Sequence, residues 1–362
     1  MRIGFDAKRY FYNRTGLGNY SRSIVAALNK FASNLELFLY APGKSSSSEK
    51  QHRINIAEAG RKGKWWRTFG VVSDLKRDRI KVYHGLSNEL PFGLKQSGIG
   101  AVVTIHDVIF KRFPGYYPFF DRVIYHWKTK HALKAADVVV AASRATADDL
   151  DLFYPKHTSK VRVVYQPISN EWHSEPNVAC PETEPYMLYV SSFTSRKNHG
   201  TLIEAFTKIA HQTGLNLILA GASGETLKQC ENHISLEKLQ ARIKLYPNCD
   251  EAVLHALMHH ASLSVNCSFF EGFGIPIAEA AAKNLPMAVS DIPVFRELAG
   301  EAARYFNPND SNEMAAVIME SLIPEHQLQM QVGRGLLLSK IDPQKISEQL
   351  QEIYTMAAAR HQ

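Results

Sequence analysis

A chain of 362 residues, 45 % of them hydrophobic, is long enough to fill two cores of ordinary domain size. No apolar run reaches the roughly 18–20 residues that span a bilayer, and the scattered cysteines (Cys180, Cys230, Cys249 and Cys267) argue against structural zinc and for a reducing, cytoplasmic setting. The net charge of +7 favours anionic partners; with no helix-turn-helix or RNA-recognition signature, nucleic acid is not the expected one.

Short apolar runs alternate with amphipathic helical stretches, the pattern of parallel α/β layers. Met1 to Asp6 reads as a first strand rather than a signal peptide. Strands are expected at 2–5, 35–40, 81–84, 101–105, 138–142 and 161–165, then at 186–192, 215–220, 243–245, 263–265 and 286–289. The polar, proline-bearing stretch 167–185 between the two series lacks either periodicity and is read as the domain linker. Residues 1–168 and 169–342 then form two doubly wound domains, and 343–362 a terminal helix with Ile346, Leu350, Ile353 and Tyr354 at helical spacing.

In the first domain, Thr15-Gly16-Leu17-Gly18-Asn19-Tyr20 separates the first strand from a helix carrying Ile24, Val25 and Leu28. A Gly-x-Gly there frees backbone N–H groups for phosphate, although an ordinary strand–helix turn has the same letters. Ser21 stands where a dinucleotide fingerprint has its third glycine, and no acidic residue ends the second strand, which weighs against a nicotinamide-dependent oxidoreductase. The serines at 45–48 read as a mobile loop. Arg61, Lys62, Lys64, Arg67, Lys76, Arg77, Arg79 and Lys81 are set against only Asp74 and Asp78, with Trp65, Trp66 and Phe69 interleaved. The segment 61–81 therefore suits peripheral contact with an anionic membrane or a lipid-phosphate acceptor, and equally a solvated face with its tryptophans in the core. His106 and Asp107 stand just beyond a buried strand, where α/β sites collect. Ser143 reads as a helix N-cap, and Asp149-Leu150-Asp151 as a solvated helix face rather than a metal site. No Gly-x-Ser-x-Gly elbow and no metal-ligating cluster appears.

In the second domain, Ser191-Ser192-Phe193-Thr194-Ser195-Arg196-Lys197-Asn198-His199 follows a strand and opens a helix. Arg196 as a fork and Lys197 as a point charge suit a diphosphate; an exposed basic turn is the alternative. Gly221 ends a strand, and Asn248 follows Tyr246-Pro247. The stretch from Phe269 to Ala280 carries Glu271 and Glu279 around Gly272, Phe273, Gly274 and Pro276. Pro276 fits a first helical turn, so Glu271 is placed on the loop and Glu279 in that first turn. Both flank a helix N-terminus that attracts anions, and the glycines let a ligand approach the backbone. A loop carboxylate and a helix-dipole partner would look the same in isolation.

The Glu271-x7-Glu279 string, at full length and in strand–loop–helix context, resembles the motif of family 4 retaining glycosyltransferases. The Arg-Lys-Asn turn, the His-Asp turn, the glycine loop and Phe306-Asn307-Pro308-Asn309-Asp310 extend the resemblance over nearly the whole chain. Cys249, the Phe269-Phe270 pair and 61–81 depart from it. The resemblance implies a GT-B fold, two Rossmann-like domains facing a cleft, with the terminal helix crossing back to the first domain. It implies transfer of a hexose from a nucleotide diphosphate sugar, GDP-mannose favoured over UDP-hexoses, to a saccharide or lipid-linked acceptor in polysaccharide synthesis, without cofactor or metal. His106, Arg196, Lys197 and Glu271 would be catalytic and Asp107 acceptor-side. Gly16, Gly18, Gly221, Asn248, Gly272, Phe273, Gly274 and Glu279 would bind donor, the last through its ribose. The leaving phosphate, rather than a protein base, would take the acceptor's proton. An epimerase, a phosphorylase or a non-catalytic nucleotide-sugar binder would use similar phosphate contacts.

Overall fold

The computed structural model describes residues 1–13, 15–42, 53–57 and 65–361, the Asn170 side chain apart. The serine run at 45–48 and Arg61, Lys62 and Lys64 lie outside the described residues. The chain divides into two units, Met1–Pro167 with Ile341–Gln362, and Ile168–Lys340.

The first unit is built on β1 (Arg2–Asp6), β2 (Glu36–Tyr40), β3 (Ile54–Ile56), β4 (Val82–Gly85), β5 (Gly100–Ile105), β6 (Val138–Ala141) and β7 (Val161–Val163). They form one parallel sheet in the order β3-β2-β1-β4-β5-β6-β7, so the winding reverses between β1 and β4. The central strands are buried on both faces, as parallel sheets require. On one face Ile24 and Leu28 of the helix Gly16–Phe31 meet Leu350 and Ile353 of the helix Pro343–Ala359. On the other, Leu75, Leu133 and Leu150 close a second cluster. Each such side chain contributes about 1.5–3 kcal/mol by leaving water. The terminal helix starts at Asp342, whose carboxylate accepts from Lys345 N at 2.9 Å. It lies so close to the sheet that a Cβ on Gly100 would stand 2.8 Å from the Ala357 carbonyl.

The second unit holds β8 (Tyr186–Val190), β9 (Asn216–Gly221), β10 (Ile243–Pro247), β11 (Leu263–Asn266), β12 (Met287–Ser290) and β13 (Arg304–Phe306). Its parallel order is β10-β9-β8-β11-β12-β13, which puts the reversal between β8 and β11. Met187, Leu202, Phe206, Leu217 and Val265 belong to its core.

Two three-residue edge strands, β3 and β13, are absent from the sequence expectation. Ser143 caps its helix as expected, accepting from Thr146 N at 3.0 Å. Asp149 is corrected from a solvated helix face to a buried group held by Arg112. The 61–81 segment is corrected in part. Trp66 is buried and donates to Asp74 at 2.7 Å, and Arg77 pairs with Asp74 and Asp78, each at 2.8 Å. Arg67 donates through Nε to Asp6 at 2.8 Å and pairs with Glu89 at 2.7 Å.

The Asp6 side chain is only 3 % exposed, so Arg67→Met would leave a buried carboxylate unpaired. A stability loss of about 3–5 kcal/mol in urea unfolding is expected. A loss below about 1 kcal/mol would show that this pair does not hold the sheet end in place.

Candidate active site

Ligands of open α/β sheets sit beyond the carboxyl ends of the strands where the winding reverses. In the second unit those ends belong to β8 and β11. After β8 the chain turns through Ser195–Lys197, and Asn198 at φ 58° opens the helix His199–Ile209. After β11 it runs through Ser268 and Glu271 to Gly274 at φ 102°, the N-cap of the helix Ile275–Ala282. Only glycine suits that cap: a Cβ there would also stand 2.8 Å from the Phe295 ring.

These turns bring Arg196, Lys197 and Glu271 together. Lys197 Nζ donates to Glu271 Oε1, Arg196 Nη1 donates to Glu271 Oε2 at 3.1 Å, and Ser268 Oγ donates to Oε1 at 2.7 Å. Tyr189 on β8 ties the two turns, donating to the Lys197 carbonyl at 2.7 Å and lying 3.0 Å from Ser268 Oγ. Phe269 N donates to the Arg196 carbonyl at 2.9 Å, closing the same junction through the backbone. Burial alone would raise the Glu271 carboxyl, but the Lys197 and Arg196 cations outweigh it and hold it down at about 2. Glu271 is therefore an anion at neutral pH, clamped between two cations. Arg196 is the more open of these, 30 % exposed against 10 % for Lys197.

Glu279 differs from its expected place. The helix begins at Ile275, so Glu279 lies in its second turn, buried, and is not a surface partner of the dipole. Burial first, and then the charge of Glu251, push its carboxyl up to about 8. Two glutamates of one motif thus have opposite protonation at pH 7, the pattern by which environments assign separate roles. Gly221 at φ 143° and Asn248 at φ 56° are also brought together, Asn248 N donating to the Gly221 carbonyl at 2.6 Å. Phe273 is buried, so the donor-binding role read for it does not extend to an open side chain.

In the first unit, His106 follows β5 and its ring meets Tyr20 edge-on at 4.5 Å. Its Nε2 lies 2.8 Å from the Leu86 carbonyl and its backbone N donates to Asn88 at 2.9 Å. Burial pushes its pKa below the ordinary histidine range. A neutral ring donating through Nε2 keeps Nδ1 as an acceptor. Asp107 accepts from Ile109 N at 3.2 Å. The Gly18 amide, read as available to phosphate, is instead taken by Thr15 O at 2.8 Å and Asn13 Oδ1 at 3.1 Å. A Cβ on Gly18 would stand 1.8 Å from the Asn13 carbonyl, so this glycine serves close packing. Gly16 is the first residue of the helix, exposed behind the Thr15 cap.

The sequence reading missed the groups underneath. Tyr20, Thr104, His84 and Tyr354 form a buried chain with contacts of 2.9, 2.8 and 2.9 Å, joining the terminal helix to the packing beneath His106. Burial, with a smaller effect from His106, pushes His84 down to about 3, so the chain is uncharged. Glu182, from the linker stretch, accepts from Lys244 at 2.6 Å and from Tyr246. Tyr20, Tyr246 and Tyr354 stood inside stretches singled out in the sequence and Ser268 three positions before Glu271, but nothing in their spacing marks these contacts.

The family model described as glycosyl transferases group 1 matches residues 170–360, more than half of the chain. A second, Glycosyltransferase Family 4, matches residues 14–172. The chain belongs to the family 4, group 1 glycosyltransferases. This glycosyltransferase is 26 % identical to O-antigen chain mannosyltransferase B of Escherichia coli over 371 residues, 94 % of this chain and 95 % of that one. It resembles the solved sucrose-phosphate synthase of Thermosynechococcus elongatus with a TM-score of 0.77 and 19 % identity, over 99 % of this chain and 100 % of that one. Anabaena HepE in complex with UDP and glucose gives 0.74 and 16 %, over 98 % and 99 %. At those identities the likeness is one of fold, and the fold is GT-B, with the two doubly wound parallel sheets expected from the sequence.

Proposed function

We propose that this glycosyltransferase moves mannose, with retention of configuration, from GDP-mannose to a saccharide or lipid-linked saccharide in surface-polysaccharide synthesis. The observation that carries the reading is the meeting of Arg196, Lys197 and Glu271 where the winding of the second sheet reverses. Two cations at that point match a diphosphate whose charge grows as the glycosyl bond breaks. Arg196 and Lys197 would take that charge without a metal ion. Glu271 would aim them and accept from donor-sugar hydroxyls, Glu279 would accept from the ribose, and His106 Nδ1 would face the sugar. Gly221 and Asn248 would meet the base, and the amides at Gly272 and Gly274 the phosphates. Asp107 would stand on the acceptor side.

The proposed reaction breaks the bond from the anomeric carbon to the β-phosphate oxygen and forms one from the acceptor oxygen to that carbon on the same face. The acceptor's proton passes to the leaving phosphate. The mannosyl donor is supported by the name of the E. coli relative, and UDP-glucose is the runner-up on the contents of HepE.

A thermal-shift and turnover screen of GDP-, UDP-, ADP- and dTDP-sugars with chelator present tests the reading. The expected result is a shift and slow donor hydrolysis with GDP-mannose alone. Dependence on added divalent metal, or selection of another nucleotide, would overturn the corresponding part.

A further inference from the structure

The helix Phe119–Ala135 of the first unit buries a narrow stripe, Thr129, Ala132, Leu133 and Ala135. With 3.6 residues per turn, Phe119, Phe120, Val123, Ile124 and Trp127 fall together on another side. They are open to solvent, Phe120 at 78 %, Phe119 at 64 % and Trp127 at 56 %. Single exposed apolar residues are ordinary on protein surfaces, but a helix that presents five of them on one side is not. The strip is also wider than the helix. Phe92 lies 5.4 Å from Trp127 and stacks on Phe69 at 5.1 Å, and Trp65 lies 6.2 Å beyond Phe69. Trp65 and Phe69 are exposed as well.

Its charge points to the occupant. Lys130 and Lys134, one and two turns past Trp127, continue the exposed side. The Arg122 guanidinium lies 5.5 Å over the Phe119 ring. Asp121 is the helix's one acid, against Arg122, Lys130 and Lys134, while Lys128 is taken by Glu89 at 2.9 Å. Aromatic rings beside cations with long apolar stems match the boundary between lipid headgroups and acyl chains, where rings enter and cations meet phosphates. A second copy of this chain, docked symmetrically, would set these cations against their own kind.

We propose that this side of the helix Phe119–Ala135, widened by Trp65 and Phe69, docks the enzyme on an anionic lipid bilayer. Among the described residues no helix is long and apolar enough to cross a membrane, so the helix lies in the plane of the surface. The lipid contact read from the sequence at 61–81 moves accordingly: of the aromatic residues there, Trp65 and Phe69 join the docking face and Trp66 does not. The inference is independent of donor and reaction.

Flotation of the full chain with vesicles tests it. Wild-type protein is expected to float with phosphatidylethanolamine–phosphatidylglycerol vesicles and several-fold less with phosphatidylcholine alone. A Phe120→Ser, Ile124→Ser, Trp127→Ser variant is expected to lose the float about tenfold or more with its thermal transition unchanged. Lys130→Gln with Lys134→Gln, which leaves the apolar strip intact, is expected to lose the preference for phosphatidylglycerol. The proposal is overturned by wild-type protein that stays at the bottom of the gradient, or by a triple variant that floats equally. Sedimentation that shows a dimer dissolved by the triple substitution would also overturn it, in favour of a second copy.

Discussion

Lys197→Met is expected to slow sugar transfer about a hundred-fold or more and to lower stability by about 3–5 kcal/mol. Both effects come from one position. The ammonium is buried against Glu271, so its removal leaves that carboxylate enclosed with Arg196 as its remaining cation. The same removal takes away half of the positive charge proposed to meet the leaving diphosphate. Glu271→Gln separates the two roles. The amide still accepts from Ser268 and Lys197, so stability should fall less than in Lys197→Met, while transfer should fall comparably because the carboxylate no longer accepts from the sugar. Acid unfolding gives an independent reading. The folded Glu271 carboxyl titrates at about 2 against an ordinary 4.5, so the native state holds the charge after the unfolded chain has taken up its proton. The stability this supplies, roughly 3 kcal/mol at neutral pH, is present above about pH 4.5 and is lost as pH falls towards 2. In Glu271→Gln that part of the acid transition should vanish. A Lys197→Met enzyme with wild-type rate and wild-type urea midpoint would refute the role given to this cluster.

The elements of both sheets were legible because buried parallel strands read as short continuous apolar runs between helical periods. Ile54–Ile56 and Arg304–Phe306 were not; Val161–Val163, equally short and at an edge, was legible because its apolar run continues through Val164 and Tyr165. In the site, residue types were legible and their relations were not. Arg196, Lys197 and Glu271 stood out as charges at strand-to-helix turns, but that they would bind one another depends on β8 and β11 being neighbours. That adjacency is a long-range pairing that no local pattern encodes. Glu279 was placed in the first turn, but the helix already begins at Ile275, one residue before the proline, which carries Glu279 into the second turn. Gly18 was misread for a different reason. A glycine admits ligand and backbone equally well, and here the Asn13 backbone occupies the space. Asp149 shows the converse limit, since Arg112, thirty-seven positions away, converts a helix-face carboxylate into an interior one.

Glu279→Gln is expected to weaken nucleoside diphosphate binding about tenfold or more while making the empty protein more stable at alkaline pH. The empty site holds the carboxyl up at about 8, so at pH 7 it is neutral. Ribose hydroxyls donate better to a carboxylate than to a carboxylic acid, a difference worth about 1.5–3 kcal/mol. Binding therefore expels the proton, and wild-type affinity should rise from pH 6 to about 8, then level once the empty protein is itself ionised. The amide variant should show no such rise. Stability runs the other way. Between about pH 4.5 and 8 the unfolded chain has lost this proton and the native state keeps it, so wild-type stability falls as pH rises through that window, by about 5 kcal/mol at most. Glutamine carries no such liability, so the variant should match wild-type at pH 4.5 and exceed it above pH 8 in calorimetry. The buried carboxyl is then a group whose environment opposes its own charge until a ligand supplies the donors, which ties its cost in the empty fold to its use in the filled one. Equal stability of the two proteins at both pH values, together with unchanged nucleotide affinity, would leave Glu279 without the role proposed for it.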